Sequence, residues 1–414
     1  MSNAGERPSP RRGAIVLGGA HGSLEIARSL GRLGIPVWLV TADNPLASLS
    51  HYVDQSFRWH GPRDDGALAF LIDLNRRHGL DGWVLFAGSD DDVRFVAQNH
   101  AALGALFTLT TPAWDQIRRT LDKRAMNARA DELGIAHPLT RQARSREELT
   151  SLGMTFPMIL KPAVREGRNA FVDAKAWRID GEAALCARFD EAKALVGAES
   201  IMIQELIPGD GTAQFSYAAI WDRGKPIAAL VAQRRRQYPV EFGFTSTFVE
   251  TIEQPQIEAE ACRFLASLDY SGLVEVEFKY DARDRRYKIL DVNARAWSWL
   301  ALGRAAGTDF AALQWRLATG EAIAPQTARS SARWIYVSRD LAASLWDMLP
   351  GRLSAAAYLR SFRRPLALAV FAWDDPVPGL LDLPLSALRV AARWLARRKS
   401  AAAQPPLQSA KLPT

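Results

Sequence analysis

The sequence predicts two unlike parts in series. An α/β part, built on a doubly wound parallel sheet, spans residues 13–114, and an α+β part spans 115–325. A C-terminal helical extension at 326–399 and a disordered tail at 400–414 follow. Three observations carry this reading. Apolar strand-like runs alternate with helix-period segments from 13 to 110, as a parallel sheet with crossover helices requires. From 154 onward, strand-like runs follow one another and end in a hairpin pattern. At 414 residues the chain exceeds the size at which a single core stops growing, so two or three domains are expected.

In the first part, "AIVLGG" is a short apolar strand and "SLEIARSLGRLG" an amphipathic helix ending at Gly34. "PVWLVTAD" is a second strand, a helix lies around 65–78, and "GWVLFAGSDDD" is a strand running into an acidic loop. Ligands of such sheets sit near the carboxyl ends of the strands. The loop "GGAHGS" (18–23) departs from GxGxxG, although Asp43 lies about 20 residues downstream of it, where a ribose-binding acid would stand. A glycine turn closing the first strand is the preferred meaning.

In the second part, 115–150 reads as helical, with "TLDKRAMNARADELG" ending at Gly134. The strands "MTFPMILKPA", "SIMIQELIPG", "AQFSYAAIW" and "PIAALVAQ" follow, then the helix "EAEACRFLASLDY". "GLVEVEFKYD" and "RYKILDVNA", joined by the short polar link "ARDR", read as a β-hairpin.

Bulk properties narrow the function. The net charge of +7 resides in the C-terminal part: from Arg329 onward 13 Lys and Arg face five Asp and no Glu. The other 328 residues sum to about −1, which argues against a nucleic-acid surface. Cys186 and Cys262 stand far apart and are expected to be reduced, buried thiols of a cytoplasmic protein. "SPRRGAIVLGGAHGS" is read as a first strand and its turn rather than a targeting signal. No apolar run is long enough to span a bilayer.

The hairpin carries the chemistry. Side chains alternate along a strand, so Glu275, Glu277 and Lys279 share one face, and Asp291, Asn293 and Arg295 share one on the partner. Antiparallel pairing brings Glu277 and Asp291 together, with Asn293 one step away. Two carboxylates and an amide oxygen suit a hard cation such as Mg²⁺, often completed by substrate phosphates, with an Arg beside it for phosphoryl oxygens. An exposed hairpin laced with ion pairs is the competing reading. Upstream, Lys161 terminates an apolar strand, Lys123 opens a helix, and "IMIQELIPG" ends at an edge where backbone groups can pair with a purine.

The order Lys123, Lys161, "QELIPG", "EVEF", "DVNAR" resembles the ATP-grasp superfamily of ATP-dependent carboxylate ligases. Its members include D-alanine and D-aspartate ligases, biotin carboxylase and the large subunit of carbamoyl phosphate synthetase. The resemblance covers roughly 13–325. It implies a two-lobed ATP-grasp domain with ATP between two α+β subdomains. Lys123 and Lys161 would contact phosphates, and Gln204, Glu205, Leu206 and Ile207 would meet adenine. Asp210 and Gln214 are the ribose candidates. Glu277, Asp291 and Asn293 would hold Mg²⁺, two ions in number with Mn²⁺ as a substitute, and Arg295 and Lys161 would act on the transferred phosphoryl group.

Two departures stand out. In place of a glycine-rich flap the chain has "AVREGRNAFVDAKAW", where Arg165, Arg168 or Lys175 would close over the phosphates. The middle metal acid, usually Glu, is Asp291. The stretch "QRRRQYPVEFGFTSTFVET" (233–251) reads either as a solvated edge strand or as an anion site for a substrate carboxylate, with Arg234, Arg236 and Gly243 the substrate residues. At the C-terminus Leu385, Leu388, Ala392 and Leu395 form one stripe and Arg389, Arg393 and Arg397 another. Docking of the apolar stripe on the protein's own body is preferred over a membrane-surface contact at 384–399.

The expected activity is ATP-dependent phosphorylation of a small carboxylate to an acyl phosphate, followed by capture by an amine or, less favoured, a thiol. A small-molecule kinase and a non-catalytic ATP sensor are the alternatives. The sequence names neither substrate nor assembly, although a dimer is compatible with it.

Overall fold

The computed structural model describes residues 12–42, 44–164, 169–174, 176–238, 245–349 and 351–388, without the side chain of residue 346. Asp43, Arg165, Arg168, Lys175, Gly243 and the stretch 389–414, which includes the expected tail, lie outside the described residues.

Three sheets organise the chain. The first is parallel, in the order β3-β2-β1-β4-β5: β1 (Ala14–Leu17), β2 (Val37–Thr41), β3 (Gln55–Arg58), β4 (Val84–Ala87) and β5 (Thr108–Leu109). Strands β1, β2 and β4 are wholly buried and purely apolar but for Thr41, as strands covered on both faces must be. β3, "QSFR", is mostly exposed and has no apolar alternation, so its pattern carries no strand signal. The order reverses between β1 and β4, which opens a crevice at their carboxyl ends. There Gly18 adopts φ +90°, and a Cβ on Gly19 would stand 1.8 Å from the Asn44 carbonyl oxygen. The positive φ of Gly18 and the close approach at Gly19 explain the glycine pair better than a dinucleotide fingerprint does.

A small antiparallel sheet has the order β6-β9-β7-β8: β6 (Thr140–Arg141), β7 (Met158–Pro162), β8 (Trp177–Ile179) and β9 (Ile201–Glu205). It buries its own core of residues from 143–203, among them Leu160, Phe171, Phe189 and Ile203. A lobe with a private core can shift as a unit against its surroundings.

The large sheet runs β14-β13-β10-β11-β12-β16-β17, with β15 paired to β11. Its strands are β10 (Gln214–Asp222), β11 (Lys225–Tyr238), β12 (Thr245–Ile252), β13 (Gly272–Asp281), β14 (Arg286–Asn293), β15 (Gln326–Thr327), β16 (Arg333–Ile335) and β17 (Leu366–Leu368). One core joins this sheet to the helix His21–Arg32 of the first part, through Leu24, Leu30, Ala218, Trp297 and Trp334. The expected hairpin is β13–β14.

The C-terminal part corrects the expectation of a purely helical extension. β16 and β17 extend the large sheet beyond β12, and Ala332, Trp334 and Ala367 enter the shared core. The buried Arg28 donates to Asp375 at 2.8 Å, which pins this part to the first sheet's helix. Cys186 and Cys262 are free but only half-buried, Cys262 Sγ lying 3.6 Å from the Tyr217 hydroxyl. Among the described residues no helix is long and apolar enough to cross a membrane.

Candidate active site

The register of the hairpin sets the site. Glu277 stands opposite Asp291, and Glu275 opposite Asn293. Asn293 Nδ2 donates to Glu277 Oε1 at 3.0 Å and to Glu275 Oε2 at 3.2 Å, so the three side chains share one face. Ser216 on neighbouring β10 donates to Glu275 Oε1 at 2.9 Å. Burial, with the Glu277 charge beside it, pushes the Glu275 carboxyl up to about 7.

Two lysines arrive from other elements. The helix Lys123–Glu132 starts at Lys123 because Asp122 caps it, accepting from the Arg124 N–H. This brings Lys123 Nζ to 2.6 Å from Asp291 Oδ1. Burial acts to raise the Asp291 carboxyl, but the charges of Lys123 and Lys161 and the Lys123 hydrogen bond hold it below the usual range. Lys161 reaches from β7 of the small sheet and is only 9% exposed. Burial first, and the Lys123 charge second, push it down to about 7, against the pull of Asp291 and Glu277.

Arg295 follows β14. Its Nε donates to Asp90 Oδ1 at 2.6 Å and its Nη2 to Asn293 Oδ1 at 3.3 Å. Asp90 opens the helix Asp90–Gln98, which Ser89 caps, so the expected acidic loop is a helix N-terminus at the crevice beyond β4. The hydroxyl of Ser89 also donates to Asp92, whose carboxyl burial pushes up to about 6. The first sheet therefore meets the hairpin directly.

The face runs on toward the segment 204–210. Lys279, one alternation beyond Glu277 and so about 7 Å along the strand, donates to the carbonyls of Ile207 and Gly209, both at 2.8 Å. The N–H groups of Glu205 and Leu206 already bond the carbonyls of Leu139 and Pro157. The Glu205 carboxylate accepts from Lys288 at 2.8 Å and from Arg283 at 2.6 Å, and Gln204 Nε2 donates to Thr140 Oγ1. Asp210 is exposed and caps a short turn through Thr212. The Gln204 and Glu205 side chains shape the segment rather than standing open to a ligand.

Arg236 is a correction. Sharing a face with Arg234 would require unbroken alternation, but the pairing of β11 with β12 shifts at Arg234 and again at Arg236. Arg236 is consumed instead by the buried Asp340, in bonds of 2.9 and 2.7 Å, by Ser361 at 3.0 Å, and by the Phe248 ring at 4.4 Å. It is a structural tie to the C-terminal part. Arg234 bonds Gln237 at 3.2 Å and helps to lower Glu275, so it stays on the site's side.

Among the described residues no group of three or more His, Cys, Asp or Glu side chains is arranged to hold a metal. The hairpin offers two carboxylates and an amide, all oxygen donors, and the close approach of Lys123 to Asp291 marks the place as one that draws positive charge. This set fits Mg²⁺ that takes its other ligands from phosphate and water.

Asp90, Ser216 and Glu275 complete the site without having been singled out for it. The run of three Asp at 90–92 was the available signal for Asp90. Nothing local marks Ser216, which stands opposite Glu277 across the β10–β13 pair and reaches Glu275 diagonally.

The sequence profile described as carbamoyl-phosphate synthase L chain, ATP binding domain, matches residues 122–325. Among solved structures, Rhizobium etli pyruvate carboxylase aligns at 18% identity and TM-score 0.60, covering 78% of this chain and 30% of that one. L-amino acid ligase from Bacillus licheniformis aligns at 14% identity and TM-score 0.58, over 76% of each chain. Biotin carboxylase from Campylobacter jejuni aligns at 15% identity and TM-score 0.61, over 77% of this chain and 74% of that one. At these identities the structural likeness speaks for the fold alone. No curated protein sequence matches. Residues 122–325 thus match an ATP-binding domain model, and the fold around them is the one shared with these carboxylases and this ligase.

Proposed function

We propose that the chain is an ATP-dependent ligase that activates a small carboxylate as its acyl phosphate and couples it to an amine. One observation carries this: the opposed Glu277 and Asp291, with Asn293 one step away, face Lys123 and Lys161 beside Arg295. A face with both signs so close suits a ligand that itself brings both, a polyphosphate with its cation.

In the first step a carboxylate oxygen bonds the γ-phosphorus as the β–γ bridging P–O bond breaks, and ADP leaves. The amine nitrogen then bonds the acyl carbon, the C–O bond to phosphate breaks, and the nitrogen releases a proton to solvent. Glu277, Asp291 and Asn293 would hold Mg²⁺, which would supply neutralisation of phosphate charge. Lys161 and Lys123 bind phosphate oxygens, Lys123 leaving Asp291 to do so. Arg295, oriented by Asp90, offers its N–H groups to the transferred phosphoryl group. The segment 204–207 lies at the far end of the same face, where a purine would reach. The ribose contact falls to Asp210 or Gln214. The crevice beyond β1 and β4 adjoins Arg295 and receives the carboxylate, with Arg234 a second cation on the large-sheet side.

The substrate names of the aligned ligase and carboxylase agree with a carboxylate chemistry and do not choose the acid. Incubation with ATP, Mg²⁺, hydroxylamine and a panel of carboxylates tests the reading. A hydroxamate formed in step with ADP is expected. A stable phosphate ester would make the protein a kinase, and ATP binding without ADP release from any acid would make it a sensor.

A further inference from the structure

Away from the cleft, exposed apolar side chains are concentrated in one part of the molecule. Among the described residues, eleven of the sixteen exposed large hydrophobic side chains lie between Val337 and Leu388. On the helix Val337–Met348 and its C-cap, Leu341, Leu345 and Leu349 recur every four residues and so form one row, 47%, 51% and 87% exposed. The helical stretch 377–388 exposes Leu380, Leu383 and Leu388 at 67%, 63% and 66%. Asp382 ties the two elements side by side, accepting from the Tyr336 hydroxyl at 2.9 Å and from Ser338 at 2.8 Å. The apolar stripe expected to dock on the protein's own body therefore leaves Leu388 exposed.

Charge identifies the occupant. From Arg329 onward there are 13 Lys and Arg, five Asp and no Glu. Asp340, Asp375 and Asp382 are buried and turned inward, and Asp374 is paired with Arg32. Among the described residues Arg352, Arg360, Arg363 and Arg364 are exposed, and five of the 13 cations, from Arg389 to Lys399, follow Leu388 in the sequence. The outside of this part is thus leucine and cation, with most of its acids drawn within. A second copy would bring the same sign of charge to the contact, which opposes self-pairing. An anionic bilayer offers acyl chains for the leucines and headgroups for the arginines. We propose that this face seats the protein on an anionic phospholipid membrane surface, with the ATP cleft open to water. The inference stands independently of the proposed reaction.

The test is flotation of the full chain with vesicles of phosphatidylcholine alone, or with about a third of the lipid replaced by phosphatidylserine. Binding to the anionic vesicles only, weakened by salt, is expected. The L380S/L383S variant should bind at least ~10-fold less, with unchanged elution volume and melting temperature. L341S/L345S, on the other helix, should lose binding likewise, so that a folding defect in one pair does not decide the matter. Equal or absent binding to the two vesicle types would overturn the proposal, as would variants that bind like the parent. So would a parent chain that dimerises through these leucines and ignores vesicles.

Discussion

Lys161 gives the sharpest test of how the cleft meets its nucleotide. Burial and Lys123 lower it from an ordinary 10.5 to about 7. At pH 8 the nucleotide-free protein therefore carries Lys161 about nine-tenths neutral. A bound triphosphate favours the ammonium, so binding at pH 8 should take up about 0.9 proton through Lys161; toward pH 7 and below, the Glu275 carboxyl, itself near 7, offsets this by releasing its proton as the cation binds. Titration calorimetry with a non-hydrolysable ATP analogue and Mg²⁺, in buffers of different ionisation enthalpy, reads this number as the slope of heat against that enthalpy. K161M should abolish the pH 8 uptake, and K161R, permanently charged, should abolish it while keeping most of the affinity. The sign can be checked without ligand. At Lys161 the unfolded chain binds more protons than the folded one between pH 7 and 10.5, so this residue's contribution to stability rises with pH through that window. K161M should flatten that slope. An undiminished uptake in K161M, or none in the parent at pH 8, would refute the assignment of Lys161 to the phosphates.

Three further outcomes follow from the geometry. E277Q keeps the size of the side chain but removes the charge facing Asp291, so Mg²⁺-dependent ADP release should fall by roughly 10³-fold. Full turnover in E277Q would show that the cation lies elsewhere. D90N leaves Arg295 without its charged partner and should lower kcat by roughly 10–100-fold with little change in melting temperature; an unchanged kcat would free Arg295 of any catalytic part. D340A strands the buried Arg236 and should cost roughly 3–5 kcal/mol in urea unfolding. R236M/D340L, which removes both charges, should recover most of that loss, and a D340A cost under about 1 kcal/mol would contradict the buried pair.

The acid-and-amide face of the hairpin was legible because alternation along a strand is local. Glu275 and Glu277 share a face of β13, and Asp291 and Asn293 a face of β14, from spacing alone, but the link alone would set Glu277 against Leu290; a register shift between Glu277 and Phe278 is what brings Asp291 opposite Glu277. Lys123 and Lys161 were legible as misfits, one opening a helix beyond its cap and one ending an apolar strand. What local pattern cannot carry is distance in sequence. The Arg295–Asp90 bond spans 205 residues and Arg236–Asp340 spans 104, so neither partner was named. Arg236 was misjudged because two register shifts broke the alternation on which its placement relied. β3 escaped because an exposed edge strand needs no apolar face, and β16 and β17 because three-residue strands leave too short a pattern.

The central claim is that a carboxylate oxygen attacks the γ-phosphorus of ATP. A substrate carboxylate labelled with ¹⁸O, turned over with ATP, Mg²⁺ and an amine, tests it directly by mass spectrometry of the products. The account predicts one labelled oxygen in the inorganic phosphate released with each ADP. Label appearing in AMP would mean adenylation, and unlabelled phosphate would mean that no acyl phosphate forms.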